Sequence, residues 1–371
     1  MILGTLHGQA EAVERLRARG WTVHTCGHRA DGPGVEAADS FSLVDILDVE
    51  AVAALAKQLE ADVVYSVGSD IAMPTVAAVS ARLGLSGFHD HAITETLHRK
   101  ANLREFLDAH GLSPVRHRII HSEGDVDGFD AYPAIIKPSD SQGQRGLRRV
   151  ANAGEARAAV ADAIAYSATN TAILEEFLEG PEVSVHVFVV DREIKLTIPT
   201  DRFVWDGPLT GVAEGHAIPS ALTPADVLPE IDALIGAVVD RLGVVTGPLY
   251  FQLKLTAGGP RIIEIAPRLD GCHLWRMLEL HTGFNILDRC FDLLAGTPWD
   301  PVVLAEPGTV HELWFMLADP HHRFDPADHP PRPGAGAVVY EEFQVEPGEL
   351  PRDANGVVSR LGYRIYARPG R

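Results

Sequence analysis

The amino-acid sequence predicts a protein of mixed α/β and α+β class with more than one domain. Two patterns predict this class: apolar strand-like runs alternate with amphipathic helices over the first 90 residues or so, and consecutive strands dominate the middle of the chain. The composition is typical of a globular protein, because 46% of the 371 residues are hydrophobic and 22% are charged. At about 100–200 residues per domain, two or three domains are expected.

The first segment is predicted to be a Rossmann-like domain, in which helices cover a parallel sheet. Strands are expected at Met1–Leu6, Thr22–Cys26 and Val63–Val67, and helices at Ala10–Arg19, Val49–Leu59 and Thr75–Leu83. The first turn, Gly4–Gly8, lacks the G-x-G-x-x-G fingerprint of dinucleotide-binding domains. An oxidoreductase built on this segment therefore receives little support.

The rest of the chain is predicted to contain three long helices and several strands. The helices are expected at Glu95–Ala109, Glu155–Ser167 and Pro229–Leu242, and the strands at Tyr132–Lys137, Ala172–Leu178, Glu182–Val190, Ile194–Ile198, Leu249–Thr256, Arg261–Ile265, Val338–Val345 and Tyr363–Ala367. Pro199–Ser220 is expected to be a long connection, and such connections often form lids or binding loops.

Charge and cysteine content narrow the function classes. There are 32 Lys+Arg and 51 Asp+Glu residues, so the net charge is −19, which disfavours nucleic-acid and anionic-membrane partners. Three isolated cysteines predict reduced thiols and a cytoplasmic protein. The N-terminus shows no signal-peptide pattern, and no apolar run approaches the ~20 residues that span a bilayer.

The first motif that carries chemistry is a buried strand that ends in Lys137 and runs into a loop of small residues, Ser139–Gly146. Successive backbone N–H groups in such a loop, together with Lys137 and Arg145, suit a polyphosphate. The loop is not a Walker loop, because it lacks the Gly-Lys-Ser/Thr step. On its own, the segment is equally compatible with an ordinary β-turn and a surface lysine.

The second motif is a strand end that carries Glu175 and Glu176, followed by Phe177 and Leu178. Adjacent carboxylates on a strand need a partner, and the apolar strand end could hold an adenine ring. Glu182, after the turn, could accept hydrogen bonds from ribose hydroxyls. The alternative is a solvated edge strand.

The third motif is a predicted hairpin around Ala257–Gly259. Alternation would place Glu264 and Arg268 with Ala266 on one face and direct Ile263 and Ile265 into the core. A carboxylate and an arginine on one face fit a Mg²⁺–phosphate site, although an ion pair on an exposed sheet face is the alternative.

The same hairpin sets the expected register of its two strands. A three-residue loop would place Gln252 opposite Glu264 and Lys254 opposite Ile262.

In this order, the three motifs and the earlier Lys100 resemble the ATP-grasp superfamily, of the carboxylate–amine ligase type that includes L-amino-acid ligases, D-alanine–D-alanine ligases and biotin carboxylases. The segments EEFLEGPEVSV and KPSDSQGQRG carry the resemblance most closely, and it extends to about residue 300. It implies a Rossmann-like domain over residues 1–94 and a two-subdomain ATP-grasp domain over 95–300, with a small lid subdomain at about 112–175. Residues 301–371 would form a small β-containing extension that packs on the ATP-grasp core.

The resemblance also implies roles for individual residues. The ATP phosphates would be contacted by two lysines and a mobile flap, namely Lys100, Lys137, Ser139, Ser141, Gly143, Arg145 and Gly146. The adenine would be held by Glu175 and the backbone of Glu176, Phe177 and Leu178, and the ribose by Glu182. Glu264 would bind Mg²⁺ with Gln252, and Arg268 would stabilise the transferring phosphoryl group.

Two positions depart from the family pattern. The family usually carries a carboxylate at the position of Gln252 and Asn at that of Ala266. Gln252 can still ligate through its carbonyl oxygen, but Ala266 removes a ligand, and Asp270 is a candidate replacement.

The implied function is an ATP- and Mg²⁺-dependent, ADP-forming ligase that activates a small carboxylate substrate as an acyl-phosphate and joins it to an amine. Phosphoryl transfer needs positioning and charge neutralisation rather than a nucleophilic side chain. Arg202 is expected to clamp a substrate carboxylate and His216 to accept the amine proton, while His273 and Trp275 would line the acceptor pocket.

Other functions stay open at this point. One is a biotin-carboxylase-like or purine-pathway ATP-grasp enzyme acting on bicarbonate or formate, and another is a non-catalytic nucleotide-binding module, which the two departures allow. A homodimer is compatible with the resemblance.

Overall fold

The computed structural model describes residues 1–141, 143–305, 308–353 and 355–370. It contains a three-stranded parallel sheet, a four-stranded sheet and an eight-stranded antiparallel sheet, each flanked by helices. The predicted mixed α/β and α+β class is confirmed. Among the helices of these described ranges, none combines the length and the apolar character needed to cross a bilayer.

The front domain is built as alternating strands and helices. Its strands are β1 (Ile2–Leu3), β2 (His24–Gly27) and β3 (Ser40–Leu43), and its helices are α1 (His7–Ala18), α2 (Pro33–Ala37), α3 (Val49–Gln58) and α4 (Met73–Leu83). The predicted strand Val63–Val67 is reduced to isolated bridges, in which Val63 pairs with Ser86 and Tyr65 with Ile2.

The predicted helix Glu95–Ala109 is divided in two. Helix α5 covers His91–His98 and α6 covers Lys100–Ala109, and Arg99 between them has the extended backbone angles φ −98° and ψ 116°. Because the helix is interrupted, the Lys100 N–H is not used in a continuous helix. This N–H donates to the Ser139 carbonyl over 2.8 Å instead. The break thus fixes the start of α6 against the loop that follows Lys137.

The small sheet has the strand order β4-β7-β5-β6. Its strands are β4 (His117–Ile120), β5 (Ala134–Pro138), β6 (Arg148–Val150) and β7 (Ala172–Glu176), and α7 (Ala153–Ala165) packs on one face. Three buried alanines of α7 and its Val160 form a separate core with this sheet. The opposite face of the small sheet is directed towards the large sheet, and a ligand could bind between the two.

The large sheet has the order β12-β11-β8-β9-β10-β13-β15-β14. Its strands are β8 (Glu182–Val190), β9 (Glu193–Val204), β10 (Ala213–Ile218), β11 (Gly247–Thr256), β12 (Gly259–Ala266), β13 (Thr309–Ala318), β14 (Ala337–Phe343) and β15 (Ser359–Pro369). Three helices, α8 (Leu228–Leu242), α9 (Leu274–Thr282) and α10 (Ile286–Leu294), flank it. The apolar sides of α9 and α10 share one core with the front domain.

The prediction of a long connection at Pro199–Ser220 is wrong. Strand β9 continues through Pro199 to Val204, and β10 returns antiparallel to it, with His216 opposite Arg202. Pro199 and the glycines Gly207 and Gly211 gave the segment the composition of a loop. Pairing with β8 on one side and β13 on the other nevertheless holds it in the sheet.

The C-terminal strands β13 and β15 extend the same sheet beyond β10. Residues from 309 onward therefore help to build the wall that faces the front domain. Strand β13 and helices α9 and α10 are additions to the elements that the sequence pattern predicts.

Candidate functional site

Two cavities adjoin one another where the three sheets meet. The inter-sheet cavity, about 440 Å³, lies between the small sheet and the large sheet. The front cavity, about 570 Å³, lies between the start of α1, the loop before α9 and the C-terminal strands. The walls common to both are formed by Gly68, Gly143, Gln144, Gly271 and Arg360.

Most of the residues predicted to form the site line the inter-sheet cavity. They are Lys100, Lys137, Ser141, Gly143, Arg145, Glu175, Glu176, Phe177, Leu178, Glu182, Arg202, Gln252, Glu264 and Arg268. Ser139, Gly146 and His216 are not among its lining residues, and His273 lines the front cavity instead. Gln142 of the predicted flap lies outside the described residues.

A buried charge cluster closes one end of the inter-sheet cavity. The Lys137 ammonium lies 2.6 Å from one oxygen of Glu175, and Arg104 Nε lies 2.5 Å from the other. Burial alone would raise the pKa of Glu175, but the two cations outweigh it and lower this pKa to about 2. Burial lowers the pKa of Lys137, and Glu175 offsets part of that effect. Glu175 therefore stays ionised and orients Lys137.

Arg104 is a residue that the motif analysis missed. It is only 2% exposed, and besides Glu175 its guanidinium donates to the Ile262 carbonyl over 2.7 Å, so that it ties α6 to both sheets. The signal was present in the sequence, because Arg104 occupies the apolar stripe of α6 together with Ala101, Leu103 and Leu107. A charge on such a stripe requires a buried partner.

The loop after Lys137 is anchored to the start of α6. Lys100 Nζ donates to the Ser141 carbonyl over 2.9 Å, and Ser139 Oγ accepts from the Ala101 N–H over 3.3 Å. Ser139 therefore supports the helix start rather than facing the cavity. Gly146 has φ +67°, and a Cβ there would lie 2.8 Å from Tyr166, so its glycine is needed for packing.

The Glu182 carboxylate is surrounded by donors. Arg202 forms an ion pair with it, Lys254 Nζ lies 3.1 Å from Oε1, and Gln252 Nε2 donates to Oε2 over 2.8 Å. Arg202 also donates to the Gly211 carbonyl over 2.9 Å. Two of its guanidinium nitrogens thus have protein partners, and the contact of Arg202 with a substrate carboxylate stays a prediction.

The register of the predicted hairpin is confirmed at one pair and wrong at the next. Gln252 lies opposite Glu264, but a β-bulge follows, so that Lys254 pairs with Arg261. The bulge also changes which side chains face inward: Ile263, expected in the core, lines the inter-sheet cavity.

The donors at this end of the cavity fit a magnesium ion. Glu264 lines the cavity without an ion-pair or hydrogen-bond partner among the described residues. Gln252 uses its amide N–H on Glu182, which leaves its carbonyl oxygen available. Mg²⁺ commonly takes one or two protein oxygens and completes its shell with water and substrate phosphates. Ala266 contributes no side-chain ligand.

Arg268 is positioned by the front domain. Its Nη2 forms an ion pair with Asp70, and its Nη1 donates to the Leu269 carbonyl over 2.8 Å, whereas Nε is buried without a partner in the described ranges. Burial opposes the Arg268 charge, but Asp70 outweighs it and raises the pKa of Arg268. Asp70 was missed because it is 198 positions away in the sequence. The backbones touch nearby, since a Cβ on Gly68 would lie 3.1 Å from the Gly271 Cα.

His216 is placed behind the cavities rather than in them. It is fully buried, lines neither cavity, and its ligand atom lies within 4.8 Å of those of Asp270 and Cys272. Burial, together with the nearby charge of Arg202, holds the pKa of His216 well below its ordinary range, so the ring is neutral. His216 does not line either cavity, so the structure gives no support to the expectation that it meets a substrate amine, which stays a prediction. Burial likewise raises the pKa of the Cys272 thiol, which disfavours its thiolate form.

His273 lines the front cavity, as does His7. It has φ +57°, an uncommon left-handed conformation for a residue with a side chain, and it starts α9. Its ring stacks on Tyr363 and its Nε2 lies 3.2 Å from Gln344 Nε2. Trp275 lines the same cavity, and its indole N–H donates to Glu11 over 2.8 Å.

Comparison with known proteins agrees with this architecture. Residues 130–274 match the family model of the ATP-grasp domain. The chain is 26% identical over 351 residues to a phosphoribosylamine–glycine ligase of Mycobacterium leprae, covering 87% of this chain and 79% of that protein. Against the enzyme of the same name from Caulobacter vibrioides, the match spans 59% of the relative.

Solved structures show the same fold over the whole chain. An L-amino acid ligase from Bacillus licheniformis superposes with a TM-score of 0.80 at 18% identity, covering 100% of this chain and 93% of that one. The biotin carboxylase domain of a Hydrogenobacter thermophilus 2-oxoglutarate carboxylase, solved with MgADP and bicarbonate, gives 0.76 at 15% identity, covering 99% and 86%. Residues 130–274 therefore match the ATP-grasp domain family, and the whole chain shares the fold of these solved structures.

Proposed function

We propose that the protein is an ATP-dependent, ADP-forming ligase that joins a carboxylate to an amine. One observation carries the proposal: Lys100, Lys137 and Arg268 converge on a single cavity, in which Glu264 has no ion-pair or hydrogen-bond partner among the described residues. Three cations and one free carboxylate suit a triphosphate with its metal ion better than they suit any neutral ligand.

The inter-sheet cavity would hold ATP with its adenine at the β7 end. Ile135, Phe177 and Leu178 supply the apolar walls there, and Glu182 is available to the ribose through its remaining lone pair. The Ser141 hydroxyl is buried without a partner among the described residues, as expected for a group that donates to a phosphate oxygen.

The metal ion would be held by Glu264 and by the carbonyl oxygen of Gln252. When bound, Mg²⁺ supplies neutralisation of the charge that develops on the phosphate oxygens. Glu264 would be the single carboxylate ligand, which is enough because Mg²⁺ commonly takes one or two protein oxygens and completes its shell with phosphates and water.

The chemistry would proceed by two displacements. A substrate carboxylate oxygen attacks the γ-phosphorus, the bond to the β-phosphate oxygen breaks, and ADP leaves. An amine then attacks the acyl carbon, the C–O bond to phosphate breaks, and the amine loses a proton. Arg268, fixed by Asp70, would balance the charge on the transferring group. His273, which lines the front cavity, would be a ring able to take this proton.

A second candidate is favoured by the relatives named as phosphoribosylamine–glycine ligases. The same two displacements would then join glycine to an amine that carries a sugar phosphate. The candidates differ in the acceptor rather than in the use of ATP.

The test is a coupled assay of ADP release with Mg²⁺ and pairs of amino acids, small acids and amines, including glycine with a 5-phosphoribosylamine. The proposal expects ADP and phosphate in equal amounts with at least one acid–amine pair, and loss of this activity in K137A. The matched control is K57A, because Lys57 is exposed on α3 and lines neither cavity. ATP binding without ADP release from any pair would leave a nucleotide-binding module, and AMP release would indicate adenylation.

A further inference from the structure

An arginine from the C-terminal strand lies where the two cavities meet. Arg360, on β15, lines both the inter-sheet cavity and the front cavity. Its guanidinium stacks on the Phe315 ring at 3.6 Å from the centroid, and its Nη2 lies 3.6 Å from Cys272 Sγ. These contacts fix the side chain in place without neutralising its charge.

Two other arginines of this region are bound to carboxylates. Arg268 is paired with Asp70 and Arg202 with Glu182. Arg360, in contrast, has no carboxylate partner in the part of the chain that the structure describes. A thiol is a weak hydrogen-bond acceptor, and stacking on an aromatic ring does not use the N–H groups in the guanidinium plane. Most of the five N–H groups of Arg360 can therefore donate to another acceptor.

The position of Arg360 suits the second substrate of the proposed ligase. Arg268 and the lysines lie in the inter-sheet cavity, where the phosphoryl group would be transferred. The acceptor would contribute only its amine, and any carboxylate that it carries would stay ionised throughout the reaction. Such a carboxylate needs a cation that is not engaged with phosphate, and a guanidinium binds it through two parallel hydrogen bonds.

We propose that Arg360 binds the unreacting carboxylate of an acceptor that is itself an amino acid. The inference rests on the proposed ligase function and names its acceptor class. In a chain of net charge −19, an anionic acceptor needs such a local cation to enter the front cavity. Arg352 also lines this cavity, but it is exposed, so water screens its charge and its contribution is smaller.

A phosphate on the acceptor would use the same cation, and the experiment separates the two chemistries. Acceptor kinetics are measured for L-alanine, L-alaninamide and 2-aminoethyl phosphate, with the donor acid that supports ADP release. The variants are R360Q, R360K and R332Q. R332Q is the matched control, because Arg332 stacks on Trp314 at 3.6 Å on the opposite face of β13 and lines neither cavity.

The wild-type protein is expected to prefer alanine to alaninamide. In R360Q, the KM for alanine should rise roughly 10- to 100-fold, the loss expected for hydrogen bonds to a charged group. The KM values for ATP and alaninamide should not change, R360K should be intermediate, and R332Q should match the wild type. The inference would be overturned if the wild type used alanine and alaninamide equally well, or if the KM for alanine were unchanged in R360Q. A tenfold preference for 2-aminoethyl phosphate over alanine would also overturn it.

A binding measurement keeps this result separate from the proposed function. If no acid–amine pair releases ADP, the proposed ligase function fails. Binding of the twenty amino acids in the presence of MgADP can still be measured by calorimetric titration, because binding needs no turnover. Binding that is lost in R360Q and kept in R332Q supports the anion site by itself. Absence of binding by all twenty, or equal binding by R360Q, contradicts it.

Discussion

The buried cluster of Arg104, Glu175 and Lys137 makes a quantitative prediction about stability and pH. The pKa of Glu175 falls from an ordinary value of 4.5 to about 2 in the folded protein. Because each pKa unit corresponds to about 1.4 kcal/mol, the ionised carboxylate contributes roughly 3 kcal/mol to the free energy of unfolding at neutral pH. E175Q removes this contribution and leaves two buried cations without a counter-charge.

The sign of the pH dependence follows from the lowered pKa. The contribution of Glu175 is fully present above its unfolded pKa of 4.5 and is lost as the pH falls towards 2. The difference in free energy of unfolding between the wild type and E175Q is therefore expected to be roughly 3 kcal/mol at pH 7 and to shrink below pH 4.5.

Urea denaturation followed by circular dichroism at pH 7, 5 and 4 measures this difference. The matched control is E176Q, because Glu176 accepts from the Arg116 N–H at a solvent-exposed edge and is expected to contribute less than about 1 kcal/mol. Equal stability of E175Q and E176Q at pH 7, or a difference that does not change with pH, would refute the reasoning.

Three further substitutions test the site. K137A is expected to weaken ATP binding at least about tenfold in calorimetry, because it removes a charged phosphate donor; unchanged affinity would exclude Lys137 as a phosphate ligand. E264Q should raise the Mg²⁺ concentration that gives half-maximal activity by about tenfold or more, and an unchanged titration would place the metal elsewhere. D70N should lower kcat while leaving the KM for ATP unchanged, since Asp70 acts through Arg268; a change in the KM for ATP alone would contradict this.

The strands and the loop that carry the site could be predicted because their signals are local. A buried apolar run ending in Lys137, and a strand ending in Glu175 and Glu176, identify themselves by sequence alone. The three-residue loop at Ala257–Gly259 likewise predicted that Glu264 lies opposite Gln252.

The parts that could not be predicted depend on distant partners. The ion pairs of Arg268 with Asp70 and of Arg202 with Glu182 join residues that no local pattern connects. The segment after Pro199 has the composition of a loop, and its strand character comes from neighbours on both sides. Nothing in the short strands near the C-terminus indicated that Arg360 would reach the cavities, because that depends on where β15 joins the sheet.

Activation of a substrate carboxylate as an acyl-phosphate can be followed by isotope transfer. An acid labelled with ¹⁸O in both carboxylate oxygens is turned over with ATP, Mg²⁺ and its amine, and the released phosphate is analysed by mass spectrometry. Attack of the amine on the acyl carbon leaves one labelled oxygen on phosphate, so the account predicts one ¹⁸O per phosphate and unlabelled ADP. Unlabelled phosphate, or label in AMP, would contradict it.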